Sequence, residues 1–294
     1  MPLAPVSVTL AAPAKINLFL DVTGRRRDGF HGLETIFQTI ELHDTVGIDL
    51  GPSEPGAGQV DDDITLACDD PSLPADRRNL AWRAAAAYLQ QRPIGRVAIT
   101  LTKRIPHGAG LGGGSSDAAA VLRGLARLDS EPPALDRLAA ELGSDVPFFL
   151  IGGTAHATGR GEILTALPDL PGLPITVLMP DSASCPTPAV FAALTDDERG
   201  PRPVRGSDWW RAALAAVTDA QGLVPLLANR LTGPAVRFCP AVGELLATLR
   251  RHGDLAWMTG SGAACIALGE VAAPPATRAW PTWLRPRNRL GALK

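Results

Sequence analysis

The chain has almost no lysine. Of its 28 basic residues only Lys15, Lys103 and Lys294 are lysines, so nearly every generic positive position is filled by arginine. An ammonium on a flexible stem is a compact point charge that can follow a phosphoryl group or shift its pKa, which a planar guanidinium does less well. The two internal lysines are therefore candidates for chemistry. Also missing is any C-x-x-C pair. Cys68, Cys185, Cys239 and Cys265 are widely spaced, which offers no zinc site and suits reduced thiols in a cytoplasmic protein. No Asp/Glu cluster has metal-site spacing, so no protein metal ligand is expected. No G-x-x-x-x-G-K-[ST] occurs, which excludes a Walker A loop. The N-terminus lacks a basic leader, and Lys15 with Asn17 interrupts its apolar start before a signal core forms. No apolar run is long enough to span a bilayer; residues 255–268 are broken by Gly and Ser. A formal net charge of -2 argues against nonspecific nucleic-acid binding, leaving Arg25-Arg26-Arg27 and the Arg-rich tail as local basic patches. There is no internal repeat and no heptad.

What is present points to phosphate. The segment Pro106-His-Gly-Ala-Gly-Leu-Gly-Gly-Gly-Ser-Ser-Asp117 lies between a strand-like run at 97–102 and a helical pattern carried by Ala118, Val121, Leu122, Leu125 and Leu128. Glycine permits positive φ and close approach to the main chain, and the amides opening a helix attract an anion. Three readings compete. One is a plain glycine-rich surface turn with a capping Ser or Asp. A second is a dinucleotide fingerprint through Gly108, Gly110 and Gly113, with Asp129 following; it fits poorly, because five residues including Pro106 separate the strand from the first glycine. The third, a nucleoside triphosphate loop of another kind, survives best.

At 294 residues and 46% hydrophobic, the chain can bury one large core or two medium ones. Residues 6–50 read as strands and a turn, followed by an exposed Gly, Pro and Asp-rich loop at 51–63. Helices are predicted at 79–90, after the glycine loop, at 135–142, around 209–217 and at 241–250. Later strands are predicted at 175–179, 255–258 and 265–268. Clustered Pro and Gly between 161 and 174 mark a lobe boundary. Mixed, non-alternating elements favour an α+β fold over a doubly wound sheet.

Several local patterns then line up. Pro13-Ala-Lys-Ile-Asn17, Arg27-Asp-Gly-Phe-His31, the glycine loop, Ser144-Asp-Val-Pro147, Pro186-Thr-Pro188 and Thr259-Gly-Ser-Gly262 occur in the order seen in GHMP-type small-molecule kinases, which the chain resembles over roughly residues 6–270. The tail from Val271 on matches nothing in that pattern. The resemblance implies a two-lobed fold: an N-terminal ribosomal-protein-S5-like lobe over 1–165 and a C-terminal ferredoxin-like α/β lobe over 166–294. It also implies an ATP-dependent kinase with Mg2+ accompanying the nucleotide, present as a monomer or homodimer without nucleic-acid or membrane partners.

By the same resemblance Lys15 and Asp145 are the catalytic pair. From local sequence alone, Asp145 could equally cap the helix that Pro147 opens. Lys103, Pro106, Gly108, Gly110, Gly112, Gly113, Gly114, Ser115 and Ser116 would bind the triphosphate. Asn79 resembles a position near the adenine and could equally be a helix cap. Asn17, Phe30, His31, Thr187 and Phe191 match positions of the branch whose acceptor is a cytidine diphosphate sugar-alcohol. Aromatic faces stack on a base while a histidine reads its edge. Phe30 stands where that branch usually has Tyr, so a hydroxyl contact is absent, and the ring could instead be a core residue. Gly260 and Gly262 would support the phosphate loop. Homoserine, mevalonate and sugar kinases, and a non-catalytic nucleotide-binding relative, remain as alternatives.

Overall fold

The computed structural model describes residues 6–52 and 60–287. Most of the expected loop at 51–63, and Lys294, lie outside those residues. In chain order the strands are β1 (Val6–Arg25), β2 (His31–Gly51), β3 (Ile64–Cys68), β4 (Arg96–Thr102), β5 (Thr154–Gly159), β6 (Ile163–Ala166), β7 (Pro174–Pro180), β8 (Ala228–Asn229), β9 (Ala256–Met258), β10 (Cys265–Leu268) and β11 (Thr277–Trp283). The helices are α1 (Leu80–Gln91), α2 (Gly113–Leu128), α3 (Leu135–Leu142), α4 (Val146–Ile151), α5 (Thr187–Ala192), α6 (Asp196–Arg199), α7 (Ser207–Ala215), α8 (Ala220–Leu223), α9 (Thr232–Phe238) and α10 (Pro240–Arg251).

Two sheets organise the molecule. The first runs β3-β4-β2-β1-β8, with β5 and β6 continuing from the far part of β2; the second runs β11-β7-β10-β9 and is antiparallel throughout. β1 and β2 form a long hairpin turned at residues 26–30, where Gly29 takes φ +86° and the Arg26 amide donates to the Phe30 carbonyl at 2.8 Å. The middle of β1 is buried on both faces, and its sequence is accordingly almost continuously apolar. Leu10 and Ala12, with Val46 and Ile48, pack under α1 and α2. Ile16, Leu18 and Leu20, with Ile36 and Ile40, pack against β7 and β10. One hairpin thus belongs to both hydrophobic cores.

Several elements depart from the sequence expectations. A short strand, β6, lies inside the Pro/Gly-rich stretch read as a boundary; four residues with one partner strand leave little periodic signal. β8 is two residues long and pairs in parallel with Phe19 and Leu20 of β1, so the second half of the chain returns to the first sheet. The tail beyond Val271, which matched no motif, forms β11 against β7, and Arg285 and Leu284 then dock on β2. α7 starts at Ser207 and ends at Ala215, two residues before the predicted span at each end. No helix among the described residues is long and apolar enough to cross a membrane.

Candidate active site

Irregularities in β1 build the site. Its register with β2 shifts between Pro13 and Lys15 and again between Asn17 and Phe19. Bulges of this kind free backbone groups from the ladder and re-aim side chains. The freed Lys15 amide donates to the Leu111 carbonyl at 2.9 Å, and the Asn17 amide donates to Thr259 Oγ1 at 2.8 Å. The strand therefore holds the glycine loop with one residue and the Thr259 turn with another. Lys15 and Asn17, two apart, share a face.

The glycine loop threads between them. Gly108, Gly110 and Gly112 adopt φ of +70°, +75° and +73°. Two of these conformations are enforced by neighbours as well as by the turn. A Cβ on Gly112 would lie 2.8 Å from Phe149 Cζ, and one on Gly110 would lie 3.1 Å from the Gly262 carbonyl oxygen. Gly260 is fitted in return against the Gly110 carbonyl, also at 3.1 Å. The two turns are thus in backbone contact. α2 opens directly after Gly112 with no side-chain cap, so the first amides of its Gly113, Gly114 and Ser115 remain available to an anion.

Lys15 and Asp145 face each other across the loop. Lys15 is 5% exposed, its Nζ donates to Asn17 Oδ1 at 2.9 Å, and it stands 3.8 Å from Asp145 Oδ2. Burial pushes the Lys15 pKa down against the opposing pull of Asp145. Asp145 occupies the position before α4 but makes no capping hydrogen bond, leaving its carboxylate for Lys15 and the cavity beside it.

Two cavities meet at the loop. The larger, about 670 Å³, is lined by Lys15, Asn17, Asp145 and Ser115 at one end and by Phe30, His31, Thr187 and Phe191 at the other. The smaller, about 260 Å³, is lined by Asn79, Lys103, Pro106 and Gly108 and by Gly113 and Gly114. Both include Gly110 and Gly112. In the larger cavity His31 stacks on Phe191 with ring centroids 5.1 Å apart, and its buried Nε2 has no hydrogen-bond partner. Burial, helped by Arg199 and Arg25, holds the His31 pKa below its ordinary value, so the ring is neutral near neutral pH. Thr187 Oγ1 lies 2.8 Å from Ser261 Oγ.

The described residues match two family profiles: "GHMP kinases N terminal domain" over residues 79–153 and "GHMP kinases C terminal" over 211–285. A protein of Thermus thermophilus named 4-diphosphocytidyl-2-C-methyl-D-erythritol kinase is 42% identical over 277 residues, covering 92% of each chain. The chain is a GHMP kinase. Among solved structures, a 4-(cytidine 5'-diphospho)-2C-methyl-D-erythritol kinase superposes with TM-score 0.77 at 39% identity, covering 94% of this chain and 98% of that one. A homoserine kinase from Cytophaga hutchinsonii superposes with TM-score 0.66 at 18% identity over 95% of each chain, a likeness of fold alone.

In this GHMP kinase the α+β architecture read from the sequence is the one observed. Four side chains expected at ligands are engaged elsewhere. The Ser116 hydroxyl, in a residue 1% exposed, donates to the Pro13 carbonyl at 2.7 Å, because the second helical residue after Gly114 turns inward against β1. The Lys103 ammonium is clasped by Asp44 and Asp117 rather than extended toward a triphosphate. Asn79 caps α1 through the Ala81 amide at 3.0 Å and donates to the Pro74 carbonyl at 2.8 Å, so both ends of its carboxamide already have a partner where it lines the smaller cavity. Asn17 holds Lys15 with its oxygen and Thr35 Oγ1 with its nitrogen at 2.7 Å, which makes it a positioning residue.

Other lining residues were not foreseen. Arg160, Ser144 and Ser261 line the larger cavity, and the Arg160 guanidinium lies 5.1 Å above the Phe30 ring, which is 55% exposed. Arg160 sits between two glycines in a turn after β5, with no pattern to single it out among so many arginines. Ser144 and Ser261 fell inside quoted motifs without a role of their own. Asp44 had no local signal at all, since its part is set by pairing β2 with the strand after α1.

Proposed function

We propose that this GHMP kinase transfers the γ-phosphoryl group of ATP to the 2-hydroxyl of 4-diphosphocytidyl-2-C-methyl-D-erythritol, giving the 2-phosphate and ADP. The observation that carries the reading is the meeting of two cavities at Gly110 and Gly112, with Lys15 and Asp145 at the junction. The smaller, glycine-walled cavity takes the nucleotide, its triphosphate directed at the amides opening α2. The larger takes the acceptor, with a pyrimidine between Phe30 and the His31–Phe191 stack, and its hydroxyl end toward Asp145. The relatives' names support the choice of acceptor.

Phosphoryl transfer asks mainly for positioning and charge neutralisation, with one group to accept or orient the proton of the attacking hydroxyl. Asp145 is that group. Lys15, held at 3.8 Å, pairs with that carboxylate and lies where charge builds on the transferring oxygens. The neutral His31 ring reads the base edge through a nitrogen that otherwise lacks a partner. Phe30 contributes its face, steadied by Arg160.

The described residues contain no group of three or more His, Cys, Asp or Glu able to hold a metal ion. The donors around the glycine loop suit phosphate oxygens, so magnesium would be carried on the nucleotide, where it screens phosphate charge. We place the chain in the cytoplasm, consistent with its free cysteines, and treat 1–165 and 166–294 as its two lobes.

The test is ADP release from MgATP with the cytidyl acceptor, homoserine, mevalonate and galactose in parallel, for the native chain and Asp145→Asn. Turnover with the cytidyl acceptor alone, lost in the variant, is expected. Turnover with another acceptor would discard the base pocket, and an undiminished Asp145→Asn would discard the base.

A further inference from the structure

Beneath the glycine loop lies a charged cluster for which the proposed mechanism has no use. The Lys103 ammonium donates to Asp117 Oδ2 at 2.5 Å and to Asp44 Oδ2. Asp44 is completely buried, and its other oxygen accepts from the Arg104 and Ile105 amides at 2.5 and 2.8 Å. Asp117 is 2% exposed, and its Oδ1 is buried without any hydrogen-bond partner. Both Lys103 and Asp117 line the smaller cavity. Two carboxylates against one ammonium leave a net negative charge beside a cradle shaped for a polyanion. That arrangement opposes its own ligand unless the charge changes.

We infer that the Asp44–Lys103–Asp117 cluster is a proton-binding site coupled to the nucleotide: when a nucleoside triphosphate enters the glycine cradle, Asp117 takes a proton from solvent on its free oxygen. The step breaks no covalent bond in the protein. It removes one negative charge from beneath the phosphates and converts the unpartnered acceptor into an O–H donor, while Lys103 stays on Asp44. The inference rests on the reading of that cavity as the nucleotide site.

The surroundings favour uptake at this position. Burial, reinforced by Asp44 and only partly offset by Lys103, pushes the Asp117 carboxyl up to about 7, so a small added negative potential protonates it near neutral pH. Other charged groups face the cluster. His107 and Arg104 lie on the strap after β4, Arg78 precedes α1, and Asp69 and Asp70 follow β3, with Asp69 accepting from the Lys103 amide at 2.8 Å. Their signs are mixed, and none contacts Asp117 Oδ1. His107 also lines the cavity, so a variant at Asp117 itself is needed to assign the proton.

The experiment is calorimetric titration of the native chain with the non-hydrolysable β,γ-imido analogue of ATP, in two buffers of different ionisation enthalpy near neutral pH. Asp117→Asn, isosteric and uncharged, is run alongside. The native chain should take up more protons per analogue bound than the variant, by about half a proton near pH 7, where the free carboxyl is already about half protonated, and by more as the pH is raised. Its affinity should fall, relative to the variant, by up to about tenfold for each pH unit above the Asp117 titration. Asp44→Asn, which removes the charge that reinforces burial in raising Asp117, should reduce the uptake. Equal proton counts and parallel pH profiles in native and Asp117→Asn proteins overturn the inference while leaving the nucleotide site standing. No binding of the analogue to the native chain overturns both.

Discussion

Replacing Gly112 by Ala perturbs the junction of the two cavities with a single methyl group. Gly112 has φ +73°, a conformation that raises an alanine by about 1 kcal/mol before any contact is made. The new Cβ would then lie 2.8 and 3.0 Å from Phe149 Cζ and Cε2 and 3.2 Å from Lys15 Cγ. Phe149 is 1% exposed and packed edge-on to Phe148 at 5.3 Å, so the ring has nowhere to retreat. Overpacking of this kind costs about 1–3 kcal/mol. The total is therefore about 2–4 kcal/mol, and Lys15, the more movable neighbour, shifts away from Asp145. A displacement approaching 1 Å at a catalytic group lowers turnover by about a hundredfold. Gly108→Ala is the control. Its φ is +70°, yet nothing lies within 4 Å of the added carbon, so it should lose the conformational part alone, about 1 kcal/mol. Urea denaturation and ADP release, measured on both variants, give the comparison. Equal destabilisation by the two substitutions, or native turnover in Gly112→Ala, would refute the packing argument.

Two further outcomes follow from the same geometry. Because burial lowers the Lys15 pKa and the proposed role needs its ammonium form, the pH profile of kcat should fall on an alkaline limb below the ordinary lysine range; Lys15→Ala should lose about 10²–10³ in turnover and the limb with it. In the first lobe, Asp129 accepts from the fully buried Tyr88 hydroxyl at 3.0 Å and from Arg92 Nη2 at 2.9 Å. Asp129→Ala strands that hydroxyl and should cost about 1–3 kcal/mol in urea titrations at neutral pH. Arg92 holds the Asp129 carboxyl down to about 2, so in the native chain this stabilisation is present above the ordinary aspartate range and fades as pH falls through that value. A variant no less stable than the native chain at neutral pH would refute the role of that oxygen.

The legible parts of this protein were those whose physics is local. Glycines at alternate positions ahead of a helical pattern announce an anion loop, and the long hairpin of β1 and β2 shows as alternating and then continuous apolar residues. Lys15 stood out because the chain otherwise uses arginine. The illegible parts depend on distant partners. A two-residue strand such as β8 has no period to detect, and β11 is defined by its register with β7 rather than by its Arg, Pro and Trp-rich composition. Ser116 and Asn79 carry the right chemistry for ligands, and only packing shows that Pro13 and the first turn of α1 have claimed it.

By itself the amino-acid sequence determined the α+β class, marked a glycine loop ahead of a helix as the proposed phosphate site, and supplied the short list of side chains proposed to react. Which of them meet was decided by tertiary structure. The distance from Lys15 to Asp145 spans 130 positions of chain and is set by two bulges in β1 and the packing of α4 under the loop. Lys103 shows the same division from the other side. Its charge is written in the sequence, but whether that charge reaches a phosphate or a pair of buried carboxylates is settled by where β2 places Asp44, because an ammonium in a low-dielectric interior goes to the nearest anion.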